Sequence, residues 1–194
     1  MLIRVLRSRE EGVQPGYVKT IREMIFFEYA KLISRAALKG NIDYPFVSNR
    51  FKALLSERVT IADMNREWPP DPDQPPACVF CGSTAGLDLD CLIPLTRGGG
   101  ASPENAVLSC GDCRASRGDK GVYQWLGLDR AGTLDPAVAG RYLQELFDVH
   151  AGKGTLEIHK HAITLLCPGC RNMEACREWG VVEELTCLCL ESAF

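Results

Sequence analysis

Apolar residues recur at three- and four-residue steps through the first third of the chain: Val18, Ile21, Ile25, Tyr29, Leu32 and Ala36. That period belongs to a helix and predicts one from Tyr17 to Lys39, following Pro15-Gly16. A second helix is predicted from Phe46 to Ser56 and a short third one from Ile61 to Glu67. The pattern stops at Trp68, and residues 69–76 read Pro-Pro-Asp-Pro-Asp-Gln-Pro-Pro, the composition of an extended, semi-rigid linker. Residues 77–126 are rich in Gly, Cys and Asp and show no long period. Helical spacing returns over Pro136–Val149, with Val138, Tyr142, Leu143, Leu146 and Phe147 on one face. Thr155–Leu166 alternates and predicts a strand with Glu157, His159, His161, Ile163 and Leu165 on one side. The division expected is a helical region at 1–68, the linker at 69–76, a compact unit at 77–126, a helix plus strand at 127–166 and a cysteine-rich tail at 167–194. The fold class is α+β.

Hydrophobic residues make up 46% of the 194 positions, enough for a globular core. Arginines interrupt the apolar residues of Met-Leu-Ile-Arg-Val-Leu-Arg-Ser-Arg, which is unlike a secretory signal, and no apolar run approaches the roughly 18–20 residues that span a bilayer. A soluble, cytoplasmic protein without membrane partners is expected. The net charge of −3 is unevenly spread: residues 1–66 hold 12 Lys and Arg against 7 Asp and Glu, and the rest hold 10 against 18. Attraction for nucleic acid is therefore expected mainly from the N-terminal third. There, Lys31, Arg35 and Lys39 form an i, i+4 row that is either a solvated face or a phosphate-tracking stripe. The pI near 5.7 disfavours strong non-specific binding of DNA by the whole chain.

Ten cysteines are the strongest chemical signal. In a reducing compartment, clustered cysteines point to metal before disulfides. Cys78-Val-Phe-Cys81 and Cys110-Gly-Asp-Cys113 are two CxxC knuckles, each able to turn two thiolates toward one ion. Four sulfurs about 2.3 Å away make a closed tetrahedral zinc site, with no open position for water. Such a site staples structure and performs no chemistry.

Between the knuckles run Leu87-Asp-Leu-Asp-Cys-Leu-Ile-Pro-Leu-Thr-Arg-Gly-Gly99, then Ser102-Pro-Glu-Asn-Ala-Val-Leu-Ser-Cys110, then Cys113-Arg-Ala-Ser-Arg-Gly-Asp-Lys120. This region resembles the zinc-stapled HNH endonucleases. Their pattern is an Asp-His-Ile-Pro strand, a Gly-Gly loop, an Asn, then Cys-x-x-Cys-Asn and a small-basic-Gly turn. The resemblance covers about a quarter of the chain and implies a ββα unit gripping one divalent ion, Mg²⁺ or Mn²⁺, that cleaves phosphodiesters. By that resemblance Asp90 matches the metal-binding Asp and Asn105 the Asn that pins the loop. Cys91 stands where the base His belongs, and Arg114 where the last metal ligand belongs.

Both departures weaken hydrolysis. A thiol of ordinary pKa near 8.5 is mostly protonated at neutral pH, and losing a positioned base costs about 10²–10⁴ in rate. Cys91 is otherwise a small apolar residue. Arg114 brings positive charge where a cation should sit, although its guanidinium could instead bind the phosphate that the metal would have held. Arg97, Arg117 and Lys120 either assist it or are ordinary surface charge.

Cys167-Pro-Gly-Cys170, Cys176 and Cys187-Leu-Cys189 offer five thiols to a second site. A structural zinc, an iron–sulfur cluster and free thiols are the alternatives, and the spacing leaves the ligand set open. Glu157, His159 and His161 could hold a metal on the predicted strand, unless that face turns to the core. Two functions follow: a nucleic-acid-processing protein of HNH descent with weak or lost hydrolysis, or a non-catalytic zinc scaffold that recognises a protein partner.

Overall fold

A computed structural model describes residues 16–66, 75–182 and 184–193. It is a mixed structure of helices with a small two-stranded antiparallel sheet. Helix α1 (Ile21–Ala37) opens with a capping box: the Thr20 hydroxyl accepts from the Glu23 N–H at 3.2 Å, and the Glu23 carboxylate accepts from the Thr20 N–H at 3.3 Å. It therefore starts later than the apolar period suggests. Residues just before the cap run extended beside residues 156–160, with Lys160 N–H donating to Lys19 O at 2.6 Å and Ile21 N–H to Ile158 O at 3.2 Å.

The predicted stripe is buried from Val18 to Leu32, with Ala36 only partly covered, but so are Met24, Phe26, Phe27, Ala30 and Ile33 on the other sides of the helix. A helix apolar on nearly every side belongs inside. Helices α2 (Tyr44–Leu55) and α6 (Pro136–Gly152) pack on it, together with a 3₁₀ turn at Cys187–Glu191, and α3 (Ile61–Asn65) packs on α6. Asp43, Thr60 and Asp135 cap these helices through their side chains. Tyr29 ties α1 to the end of α3, its hydroxyl donating to Asn65 Oδ1 at 2.6 Å. One apolar core extends from Val18 to Leu190.

Central placement of α1 overturns the basic row expected on it. Lys31 is buried, 2.7 Å from Glu28, with its ammonium over the Phe27 ring. Arg35 lies against Gly132, where even a Cβ would come within 2.7 Å of its guanidinium. Lys39 lies beyond the helix end. Lys31 is thus withdrawn from solvent while Arg35 is half-buried and Lys39 exposed, so the three do not form one row on the surface of the helix.

Strand β1 (Leu87–Cys91) pairs antiparallel with β2 (Ala106–Cys110), in the register Leu87↔Cys110 to Cys91↔Ala106. Helix α4 (Gly111–Arg117) follows β2 without a break, and α5 (Val122–Leu126) comes after one short turn. The result is a ββα unit at the place expected of it. Residues 69–74 of the proline-rich segment lie outside the described residues, and Pro75 and Pro76 are exposed.

The strand expected over Thr155–Leu166 does not form. His159 Nδ1 accepts from the His161 N–H at 3.3 Å, curling the chain into a 3₁₀ turn at Lys160–Leu165. Ile163 is buried while Leu165 is 74% exposed, so the alternation does not mark one face. Glu157 pairs with Arg22 at 2.5 Å, and the His159 and His161 rings stack. These three are not placed as a metal site. Helix α7 (Met173–Trp179) and the 3₁₀ turn at Cys187–Glu191 complete the tail. Among the described residues, no helix is long and apolar enough to cross a membrane.

Candidate metal centre and the ββα unit

The first knuckle is built by backbone hydrogen bonds. Cys78 N–H donates to Ser83 O and Gly82 N–H to Cys78 O, each at 2.8 Å, while Val79 N–H donates to Leu108 O at 3.0 Å and docks the turn on β2. Gly82 closes it with φ +75°, a left-handed conformation that glycine adopts without strain. Cys110 ends β2 and caps α4, and Cys113 lies in the first turn of that helix. The four sulfurs lie within 4.8 Å of one another, and Cys81 and Cys110 are 3.6 Å apart. A tetrahedron with 2.3 Å arms has edges of about 3.8 Å, so the thiols can hold a metal ion.

Their electrostatics suit the same role. Burial pushes the Cys78 thiol up, but hydrogen bonding from the backbone of Cys110, Phe80 and Cys81 and from the Cys81 thiol outweighs it, bringing the pKa down to about 7. Burial and the neighbouring thiols hold Cys113 well above its ordinary value. Four thiols in one nest resist ionising together, and a divalent cation removes that penalty.

Asn105, fully buried, organises the loop between the strands. Its Oδ1 accepts from Ile93 N–H at 2.8 Å, and its Nδ2 donates to Ile93 O and Gly100 O, both at 2.9 Å. Gly99 passes so close that a Cβ there would sit 2.0 Å from Ile93 O and 2.8 Å from Asn105 Nδ2. Only glycine fits.

Asp90 faces the helix and is already engaged. Its Oδ1 accepts from Arg117 Nη2 at 2.8 Å and from the Cys91 N–H at 2.8 Å, and its Oδ2 accepts from Ser109 Oγ at 2.9 Å. The Arg117 side chain is 2% exposed. The same Nη2 reaches Cys91 O at 2.7 Å, and the guanidinium lies over the Phe80 ring. Its Nε and Nη1 are buried without a hydrogen-bond partner. A cation thus occupies the mouth of the Asp90 carboxylate.

Arg114, which stands where the resemblance puts the last metal ligand, meets Asp88 instead of Asp90. It pairs with Asp88 at 2.5 Å and holds that carboxyl below its ordinary value. Asp88 and Asp90 share one strand face and Arg114 and Arg117 one helix face, so two rungs join β1 to α4. Of the four cations expected to meet phosphate, Arg97 and Arg117 are buried, and Arg97 donates to Gln124 Oε1 at 3.1 Å. Arg114 is engaged with Asp88, and Lys120 is exposed. Cys91 is half-buried.

Sequence reasoning missed Glu191. It is buried, and its Oε1 accepts from Tyr142 Oη at 2.6 Å and from Tyr123 N–H at 2.5 Å, while Oε2 accepts from Gln124 N–H at 2.9 Å. Burial pushes its carboxyl up, against these hydrogen bonds. It ties the end of the chain to α5 and α6, and no motif around Cys187–Glu191 announces it. No family model, curated protein or solved structure matches the chain.

Proposed function

We propose that residues 77–126 are a zinc-stapled ββα module of the HNH type whose hydrolytic site has been closed by an internal ion pair. What remains is recognition of nucleic acid without cleavage. The observation that carries this is the buried Arg117 guanidinium on Asp90, 2.8 Å away. Support also comes from the order of strand, glycine loop, Asn105, strand and helix between two knuckles, and from the loop-pinning bonds of Asn105.

An HNH nuclease needs a divalent ion at the Asp90 position to neutralise the scissile phosphate, and an imidazole to deprotonate water. Here a guanidinium takes the carboxylate. Two unit charges about 4 Å apart interact by roughly 4 kcal/mol at an effective dielectric near 20, and a divalent ion doubles the repulsion. Asp90 is thereby withdrawn from Mg²⁺ or Mn²⁺, and Cys91 supplies no imidazole. The four-thiolate site, read as zinc, holds the module together and leaves no position open for water.

The burial of Arg97 and Arg117 favours a second reading, a zinc scaffold that docks a protein partner. Nicking of supercoiled DNA and retention on DNA across a salt titration separate the readings. The first expects retention that falls steeply with salt, as counterion release requires, and no nicking with Mg²⁺ or Mn²⁺. Nicking abolished by Asp90→Ala would overturn the closed-site reading. No retention at low salt would leave the scaffold.

A further inference from the structure

Outside the first cysteine set, four more thiols meet around one space. Cys167 and Cys170 flank a 3₁₀ turn closed by Cys170 N–H donating to Cys167 O at 3.0 Å, as in a metal knuckle. Cys176 lies on α7 and Cys189 on the 3₁₀ turn at Cys187–Glu191. All four line a cavity of about 20 Å³, with Met173 and Leu188 also in its wall. About 10–15 Å³ of such space admits one water, so a single cation is within its capacity.

The fifth thiol is directed away. Residues two apart on a 3₁₀ turn project about 240° apart, because the turn has three residues. Cys187 accordingly lines a different cavity with Glu28, Lys31 and Arg35. It is buried there and serves the core.

We propose that Cys167, Cys170, Cys176 and Cys189 ligate a second thiolate-held metal centre, and that Cys187 does not. Backbone N–H groups already point at two of the sulfurs: Asn172 N–H at Cys170 Sγ and Thr186 N–H at Cys189 Sγ, each at 3.4 Å. Such donors stabilise thiolates and orient them toward an ion. Around the cavity the tail holds only α7 and short 3₁₀ turns, the kind of segment in which metal binding supplies much of the folding free energy. Among the described residues, the first set alone brings three or more donor atoms within 4.8 Å of one another. The second set stands wider than that, so holding one zinc takes a small closure of the turns, and thiolates are also the ligands of iron–sulfur clusters.

The test uses the full-length protein as purified, without added metal. Elemental analysis and acid-labile sulfide are measured for wild type, Cys176→Ser, Cys189→Ser and Cys187→Ser. Wild type should carry metal beyond one zinc equivalent: iron with sulfide identifies a cluster, and a second zinc equivalent a mononuclear site. Cys176→Ser and Cys189→Ser should each lose that excess, and Cys187→Ser should keep it. Alkylation mapped by mass spectrometry on wild type covers variants that fail to fold. Cys167 and Cys170 should be protected until a chelator or acid releases the metal. A single zinc equivalent with Cys167 and Cys170 freely alkylated would overturn the site, and loss of the excess in Cys187→Ser would overturn the ligand set.

Discussion

Replacing Arg117 with Met tests the closed site directly, because it keeps much of the volume and removes the charge. Asp90 would lose its buried cationic partner and keep only Ser109 Oγ and the Cys91 N–H. Removing one partner of a buried pair typically costs about 3–5 kcal/mol, since the other charge stays desolvated. For a chain of this size each kcal/mol moves Tm by about 2–4 °C, so the expected fall is about 6–20 °C. The pair itself is worth far less than that. Arg117 buries two nitrogens, Nε and Nη1, with no hydrogen-bond partner, and the Phe80 ring, 5.3 Å from the guanidinium carbon, offsets part of their desolvation. Asp90→Asn combined with Arg117→Met should therefore regain most of the stability that Arg117→Met loses. Circular dichroism follows the unfolding globally. Trp125, whose ring packs 5.2 Å from that of Phe80, makes fluorescence sensitive to the site itself. A single variant within about 0.5 kcal/mol of wild type, or a double variant with simply additive losses, would refute the argument.

Three further outcomes follow from the same geometry. Asn105→Ala removes three hydrogen bonds and strands Ile93 N–H and C=O in the interior, so denaturant unfolding should show a loss of about 2–4 kcal/mol. His150 is buried between Thr155 Oγ1 and Leu190 O, and burial holds its pKa below the ordinary 6.5. The unfolded chain therefore protonates first, so its contribution is present above pH about 6.5 and is lost as pH falls below it; a Tm–pH slope in that window unaltered by His150→Gln would contradict this. Cys91→His with Arg117→Asn should gain more Mn²⁺-dependent nicking than either change alone, whereas Cys91→His with Arg114→Asn should stay silent because Arg117 still covers Asp90.

The helices and the first metal set were legible because they rest on local rules. Three-and-four spacing places α1 and α6 to within a few residues of where they fall, and α2 and α3 form over the segments expected of them. The first CxxC knuckle is closed by its own backbone bonds, and the hairpin pairing Leu87↔Cys110, with Val79 N–H on Leu108 O, sets the second beside it. Elsewhere tertiary contacts decided. Thr155–Leu166 alternates like a strand, but the available edge beside it is only the short extended piece before Thr20, and a single bridge, Thr20↔His159, is all that forms. The Lys31 row looked like a surface because charge was read without knowing that α1 is enclosed on most sides. Glu191 was invisible for the same reason: its partners are Tyr123, Gln124 and Tyr142, some fifty to seventy residues away.

Arg114 and Arg117 show that a residue's place in a motif does not fix which side chain it meets. Alignment on the second knuckle puts Arg114 directly after Cys113, where the resemblance expects a ligand. On α4 that position faces Asp88, two residues before Asp90 on β1, and the cation that reaches Asp90 is one helical turn later. The strand advances about 6.8 Å over two residues and the helix about 4.5 Å over three, so a side chain as long as arginine bridges both rungs at once. The two Asp–Arg pairs thus bind β1 to α4. Zinc at the knuckles would fix one end of the helix to the hairpin and Arg117 the other. Charge compensation for Asp90 then comes from within the chain.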